Sequence, residues 1–416
     1  MKKGLVLLLL LLFSIPAFSE PSTIASVGKI SNATGRPLQN HIFYAIKDGA
    51  WWCFYFDSMD LNQLKWKRSV DLSTWGPVNT LTLANEHNRD ASNFAVLYTN
   101  IKGYDVVHIV VDYQMSPTDH SSAHIRGHIE PASHHLIVDS PETVVAKNSI
   151  TEYTYQPLAP NLGIDDDHYI WHETAVAPGS SIGDDHTVRS LSPDKGKSWD
   201  AEWSPLVTTV GAIDRSTSRA IVSSGPTGML TFIVRNYGPD NYNSLESAYM
   251  RELLRPFINS GLVKMSSTKT VQNIPDACMV KVNDSDVRVI EKTDAASFRH
   301  LKFDATSWEA QAPPPDQKSQ LNTDGGVFCA TDERDLWVFV VDSDPANTIR
   351  YNKFNVGSTT WGTWTALETG SSIKRHLSGY QKTGDGKIAV IWTETDGSKF
   401  DIRARSLTVG PAASNP

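Results

Sequence analysis

The sequence predicts an all-β chain built from one repeated strand unit, and three observations predict it. A strand, a Gly/Asp/Asn turn and a second apolar strand recur seven times; a turn ending in tryptophan recurs in the outer half of the repeat; and no stretch carries a sustained helical period. Turn residues between β-rich runs are the signature of hairpins. Seven such hairpins, spaced roughly 40–65 residues apart, give a ring of sheets. The expected architecture is therefore a seven-bladed β-propeller, with a six-bladed ring as the alternative.

Taken in chain order, residues 1–19 read as a signal peptide. Lys2 and Lys3 precede an apolar run from Leu5 to Phe13, and Ala17-Phe18-Ser19 supply small residues before Glu20. The run is shorter than the roughly 20 residues that a membrane span needs. Residues 20–411 are then expected to form one exported propeller domain without stable membrane insertion, and 412–416 a polar tail. Localisation is accordingly secreted or periplasmic.

The hairpins read HIFYAIKDGAWWCFYF from His41, NFAVLYTNIKGYDVVHIVV from Asn93, QPLAPNLGIDDDHYIWH from Gln156 and RAIVSSGPTGMLTFIV from Arg219. They continue as ACMVKVNDSDVRVI from Ala277, VFCATDERDLWVFVV from Val327 and LSGYQKTGDGKIAVIW from Leu377. The last unit stops after a third strand, KFDIRARSLTV. One unattached strand, TIASVGKI from Thr23, precedes the first unit. Pairing the two leftovers closes the ring and removes an exposed edge.

The formal net charge is −8 and no basic run occurs, so a nucleic-acid partner is not expected. Three cysteines, Cys53, Cys278 and Cys329, make no disulfide framework. Cys278 and Cys329 hold matching places one repeat apart, which leaves one bridge open, but buried free thiols are the expectation.

SPDKGKSW, ending at Trp199, matches the Asp-box Ser-x-Asp-x-Gly-x-x-Trp at every defined position. SVDLSTW at Trp75, FDATSW at Trp308 and NVGSTTW at Trp361 are degraded copies; in chain order the four tryptophans, Trp199 included, lie close to two, two and one repeat lengths apart. The Asp satisfies backbone N–H groups in a tight turn, the Gly supplies a conformation that other residues avoid, and the Trp packs between blades. On these residues the chain resembles the sialidase-like, Asp-box (BNR) repeat propellers. In that family the boxes lie away from the ligand face and mark fold, not catalysis.

The resemblance to sialidases, which have six blades, implies an arginine near the start, an acid/base aspartate in the loop after the second strand, and two more arginines to clamp a carboxylate. Arg36-Pro37 stands at the first place, without the family's Ile; Asp57 and Asp60 stand at the second, in FDSMD. Arg215, Arg235 and Arg375 are the arginines on suitable loops. The family's Tyr–Glu nucleophile pair has no match. A weaker resemblance links the chain to the seven-bladed polysaccharide lyases of uronate polymers, through His87-Asn88, Gly103-Tyr104 and Tyr153 or Tyr155. There the second catalytic His would fall near Gln114, and the neutralising Arg at Trp171 or His172.

Strand order places the loops after second strands and those entering first strands on one face. The candidate substrate-binding residues there are Arg36, Arg215, Arg235, Arg375, His172 and Tyr237, with Asp57 and Asp60 as catalytic candidates. Mixed charge around a central pocket suits a polar or anionic glycan. His120, His124, His128, His134 and His135 lack convincing zinc spacing, and Asp165-Asp166-Asp167 reads as a hydrated turn rather than a calcium site. No cofactor or metal is expected. The expected function is recognition of an extracellular carbohydrate, with sialidase-like hydrolysis as its enzymatic form. Polysaccharide lyase activity and a non-catalytic adhesion or scaffold role are the alternatives.

Overall fold

The computed structural model describes residues 20–29, 33–34, 39–57, 62–84, 94–116, 119–147, 156–164, 170–177, 184–199, 204–205, 214–223, 228–237, 242–251, 259–269, 277–283, 286–292, 297–303, 308–317, 326–343, 346–395 and 397–410. The signal-peptide segment, Arg36, Asp60, His87-Asn88, Tyr153, Tyr155, the Asp165 triplet and the polar tail lie outside them.

The described secondary structure is strand throughout, in antiparallel sheets laid down in chain order. A lone strand, Ser22–Ser26 (β1), comes first. The first unit is Ile42–Ala45 (β2), Ala50–Tyr55 (β3), Gln63–Ser69 (β4) and Asn79–Thr82 (β5). The second is Phe94–Ile101 (β6), Tyr104–Ser116 (β7), Asp119–Glu130 (β8) and His135–Lys147 (β9). Gln156–Ile164 (β10), Ile170–Ala177 (β11), Asp184–Ser192 (β12) and Ser204–Pro205 (β13) follow, then Asp214–Ser223 (β14), Gly228–Tyr237 (β15), Tyr242–Arg251 (β16) and Asn259–Lys269 (β17). These two runs are joined into one eight-stranded sheet by a short parallel contact, Asp184 and Asp185 beside Asp214 and Arg215.

A further sheet holds Ala277–Asn283 (β18), Asp286–Lys292 (β19), Phe298–Phe303 (β20) and Trp308–Gln311 (β21). The next holds Val327–Thr331 (β22), Asp335–Ser343 (β23), Ala346–Asn355 (β24), Thr360–Trp361 (β25) and Thr365–Glu368 (β26). Ile373–Gly379 (β27), Lys387–Thr395 (β28) and Phe400–Thr408 (β29) end the series, and β1 pairs antiparallel with β29 as the fourth strand of that last sheet.

Burial explains the sequence pattern of each strand. Inner strands are covered on both faces by neighbouring sheets, so β3 (AWWCFY) and β19 (DVRVIEK) are buried at every position and read as runs, not alternations. Outer strands have one solvated face, and β4 (QLKWKRS) alternates accordingly. The core lies between sheets. One cluster joins Ile24, Ile391 and Ile402 of the last sheet to Trp52, Phe54 and Leu64 of the first and Val107 and Ile125 of the second. Others join the sheets of β18–β21 and β22–β26, and of β22–β26 and β27–β29. Among the described residues, no helix is long and apolar enough to cross a membrane.

The tryptophan-ending turns connect third to fourth strands and fasten each unit to its predecessor. In SPDKGKSW, Asp194 Oδ1 accepts from the backbone N–H groups of Lys197 (3.0 Å) and Ser198 (2.7 Å), and Ser192 Oγ accepts from Gly196 N (2.7 Å). Gly196 has φ +82°, and a Cβ there would strike His124 and His108 of the second unit. Trp199 packs on His124, ring centroids 4.8 Å apart, and on the shared core of β6, β7 and β9. The copy in the first unit uses Asp71 for Ser73 N and Thr74 N (2.8 and 2.9 Å), with Leu72 taking the positive φ. Its Trp75 donates to Ser22 of β1 at 3.0 Å. Trp361, in the β24–β25 turn, donates to Ala312 O of the preceding unit at 2.7 Å and packs on His300.

Contrary to expectation, Cys278 and Cys329 form a disulfide, with Cα atoms 5.8 Å apart. They lie opposite each other on β18 and β22, the first strands of adjacent units, so matching repeat position is what brings them together. Cys53 is a buried free thiol.

Candidate functional site

Antiparallel order gives every unit two unlike ends. At one end, first strands begin and second strands finish; this is the candidate ligand face and is called the mouth. The opposite end carries the hairpin turns and the Asp-box. Which mouth residues are available to a ligand depends on what each already binds.

The mouth acids are largely engaged within their own unit. Asp57, just beyond β3, pairs with Lys65 of β4 at 3.3 Å. Glu291 of β19 pairs with Arg299 of β20 at 3.3 Å, and Asp342 of β23 with Arg350 of β24 at 2.6 Å; neither carboxylate is exposed. Asp112 accepts from Ser122 of β8, and Glu394 accepts from Trp392 Nε1 at 2.9 Å with Arg403 3.8 Å away. The motif is one brace repeated: an acid at the end of the second strand holds a donor on the third. Asp57, the candidate acid catalyst, is a member of this set.

This brace was legible but unread. Asp57/Lys65, Glu291/Arg299 and Asp342/Arg350 share a separation of eight residues, the distance across the turn from second to third strand.

Strand register places the candidate binding residues. Arg215 is the second residue of β14, opposite Asn236; Arg235 lies opposite Ser216, and Tyr237, the last residue of β15, opposite Asp214. These three therefore share the mouth end of one hairpin. Arg375 sits in β27 beside Thr393, where a bulge interrupts the ladder before Ser378. His376, inside that bulge, has φ +51°, and its carbonyl accepts from Thr34 Oγ1 at 2.5 Å. Bulges re-aim side chains and gather at functional rims. Next to it Lys374, not singled out from the sequence, is almost fully buried. Burial pulls its ammonium below the ordinary lysine range, against the opposing pull of Glu394 and Glu368.

His172 is a correction. The sequence puts it in the loop after the second strand, but β11 runs from Ile170 to Ala177, and His172 pairs with Leu162 and Ser190 inside the sheet. The strand runs on past His172 to Ala177, which leaves His172 near the hairpin end and away from the mouth. Gly103-Tyr104 likewise forms the β6–β7 hairpin turn at the far end, with Gly103 at φ +80°.

Other histidines have structural work. His108 and His124 face each other, Nδ1 to Nε2, at 3.1 Å, and burial drives His108 well below the usual histidine range. His128 contacts Asp139 and His134 contacts Asp48, each at 2.5 Å. His41 is stacked on Phe94 with Nε2 3.0 Å from its carbonyl; burial lowers its pKa to about 4.

Solved structures resemble this arrangement. An ulvan lyase, described as a new family of polysaccharide lyase, superposes with a TM-score of 0.60 at 9% identity, covering 92% of this chain and 94% of its own. The same kind of enzyme bound to -[GlcA(1-4)Rha3S]- gives 0.57 at 10% identity, covering 92% and 94%. The chain is a β-propeller. A sialidase from Trypanosoma rangeli is also similar, at TM-score 0.48 and 7% identity, with 80% of this propeller and 56% of that chain covered. No protein-family profile matches the sequence, and no curated protein resembles it at sequence level.

Proposed function

We propose that this chain is an exported, seven-bladed propeller, closed by β1, which binds a carboxylated extracellular glycan at its mouth. The observation that carries the reading is the placement of Arg215, Arg235 and Tyr237 on one hairpin end, at the same end of the blades as Arg375 in the bulge of β27. Guanidinium groups and hydroxyls suit the carboxylates and hydroxyls of an acidic sugar. Negative charge at the mouth is meanwhile neutralised by braces within the blades.

The blade count is supported by seven consecutive units, six of four strands and one of five (β22–β26), the eight-stranded sheet supplying two of them. Closure is supported by the pairing of β1 with β29 and by the bond from Trp75 to Ser22. Export rests on the N-terminal sequence.

A uronate polymer is the favoured ligand over a sialoside. Asp57 is held by Lys65 in an arrangement that recurs in blades with no catalytic candidate, which suits a brace better than an acid catalyst. The ulvan lyase bound to a GlcA-containing saccharide adds a precedent for uronates on this fold.

The test uses the whole protein with a uronate polymer and a chromogenic sialoside, following unsaturated product by absorbance, chromophore release and binding by calorimetry. Uronate binding weakened about tenfold or more in Arg235→Ala and Arg375→Ala supports the reading. Unsaturated product would make the propeller a lyase, and binding without turnover a carbohydrate-recognition protein. Sialoside turnover that survives these substitutions but disappears in Asp57→Asn would overturn the ligand assignment.

A further inference from the structure

We propose a second site for acidic sugar chains on the opposite face of the propeller, in a groove between the second and third blades. This inference deepens the glycan reading above, and it rests on different residues.

Two adjoining cavities, of about 470 and 380 Å³, share Tyr104, Val106 and Arg126 as their common wall; the first lies between the second and third blades, and the second runs along the second blade to Lys47 of the first. Tyr104, which opens β7, is 70% exposed, so a large aromatic ring stands in solvent without a packing role. The groove's positive charge comes from Lys102, Lys195, Lys197 and Arg126. Four acids also line it, Asp105, Glu130, Asp139 and Asp194. Asp105 accepts from Lys47 N, Asp48 N and Tyr98 Oη, and Glu130 accepts from Ala132 N at 3.4 Å. Asp194 is spent on the Asp-box turn, where it accepts from Lys197 N and from both the N–H and the hydroxyl of Ser198. Asp139 is bound by Arg126 at 2.7 Å and His128 at 2.5 Å. Arg126 Nε is buried and has no hydrogen-bond partner.

The chemistry points to a sugar carrying carboxylate or sulfate groups. An exposed tyrosine ring offers a flat apolar surface to a pyranose face, and flanking ammonium groups pair with its anions. The two box lysines are also preorganised. Lys195 has φ +64° within a turn fixed by its own hydrogen bonds, and Gly196 beneath it abuts His108 and His124. A rigid platform loses little entropy on binding. In this view the Asp-box does more than fasten two blades together: its variable positions present charge.

Calorimetry with heparin, a sulfated uronate polysaccharide, tests the site on the intact propeller, against dextran as a neutral polymer and duplex DNA as a polyanion that is not a polysaccharide. Exposed substitutions at these positions should leave folding intact, checked by an unchanged melting temperature. Tyr104→Ala should weaken heparin binding by about tenfold, and Lys195→Ala with Lys197→Ala should weaken it and flatten its salt dependence. Arg235→Ala and Arg375→Ala should leave this component in place. If groove variants bind as the parent does, the second site is wrong even if the mouth variants lose binding. If only groove variants lose binding, the groove stands and the mouth assignment falls. DNA binding as tightly as heparin, with the same loss in Tyr104→Ala, would overturn the assignment to sugars.

Discussion

At the residue scale, the main consequence is that charge near the mouth is mostly spent on holding blades together. Asp342 is fully buried and satisfied by Arg350, so Asp342→Ala would strand a guanidinium against a low-dielectric wall. Breaking such a pair costs about 3 kcal/mol, to be read as a lower midpoint in denaturant unfolding. An unchanged midpoint would show that the brace is idle. Buried imidazoles set a second expectation. Burial lowers His41 and His300 to about 4 from an ordinary 6.5, so the native state keeps them neutral where the unfolded chain protonates them. Their contribution is complete above pH 6.5 and is lost progressively as pH falls toward 4. Each group removes about 3 kcal/mol across that window. Unfolding free energies measured between pH 7 and pH 4 should therefore fall, and His41→Gln should flatten the slope. A parent protein equally stable at both pH values would contradict these burials.

At the element scale, the Asp-box is a closed hydrogen-bond circuit, with its tryptophan driven into the preceding blade. Its Asp, Ser and Gly act within a few residues, so the turn forms wherever the motif occurs. Copies lacking Gly three residues before the Trp show what is essential. Leu72 and Thr359 accept positive φ, and the Asp71 or Asn355 side chain still caps the turn. Trp199→Ala should remove the contact with His124 and the core beneath it. Trp199 is only partly buried, so the cost should be about 2–3 kcal/mol, below that of a fully buried tryptophan. Glycan affinity at the mouth should not change beyond the fraction folded. Lost affinity in a fully stable variant would mean that the box reaches the mouth.

At the scale of the whole molecule, the proposed closure rests on the pairing of the first and last strands. β1 lies on β29, buries Ile24 and Val27, and is tied to the first blade through Ser22, Leu72 and Trp75. Deleting residues 20–29 would bare the edge of β29 and both apolar side chains. The loss should be about 4 kcal/mol or more from burial alone. Denaturation followed by intrinsic fluorescence should show an earlier, broader transition, and an unaltered one would count against closure. The Cys278–Cys329 bond adds a covalent tie between neighbouring first strands, part-way round from that joint.

The sequence by itself determined what is local: the strands, their hairpin turns, the Asp-box and the repeat that orders them. These rest on backbone preferences and contacts within a few residues, which no partner sheet has to supply. It also showed which end of each unit would hold Arg215, Arg235, Tyr237 and Arg375. Only the tertiary structure decided which charges remain for a ligand, because a carboxylate such as Asp57 looks the same on paper whether it faces solvent or Lys65. It alone joined Cys278 to Cys329, which are remote in the chain and neighbours only when two blades pack. It alone placed His172 inside β11, because how far a strand extends is fixed by the strands that pair with it. The groove at Tyr104 is likewise assembled from two blades, so no stretch of sequence contains it.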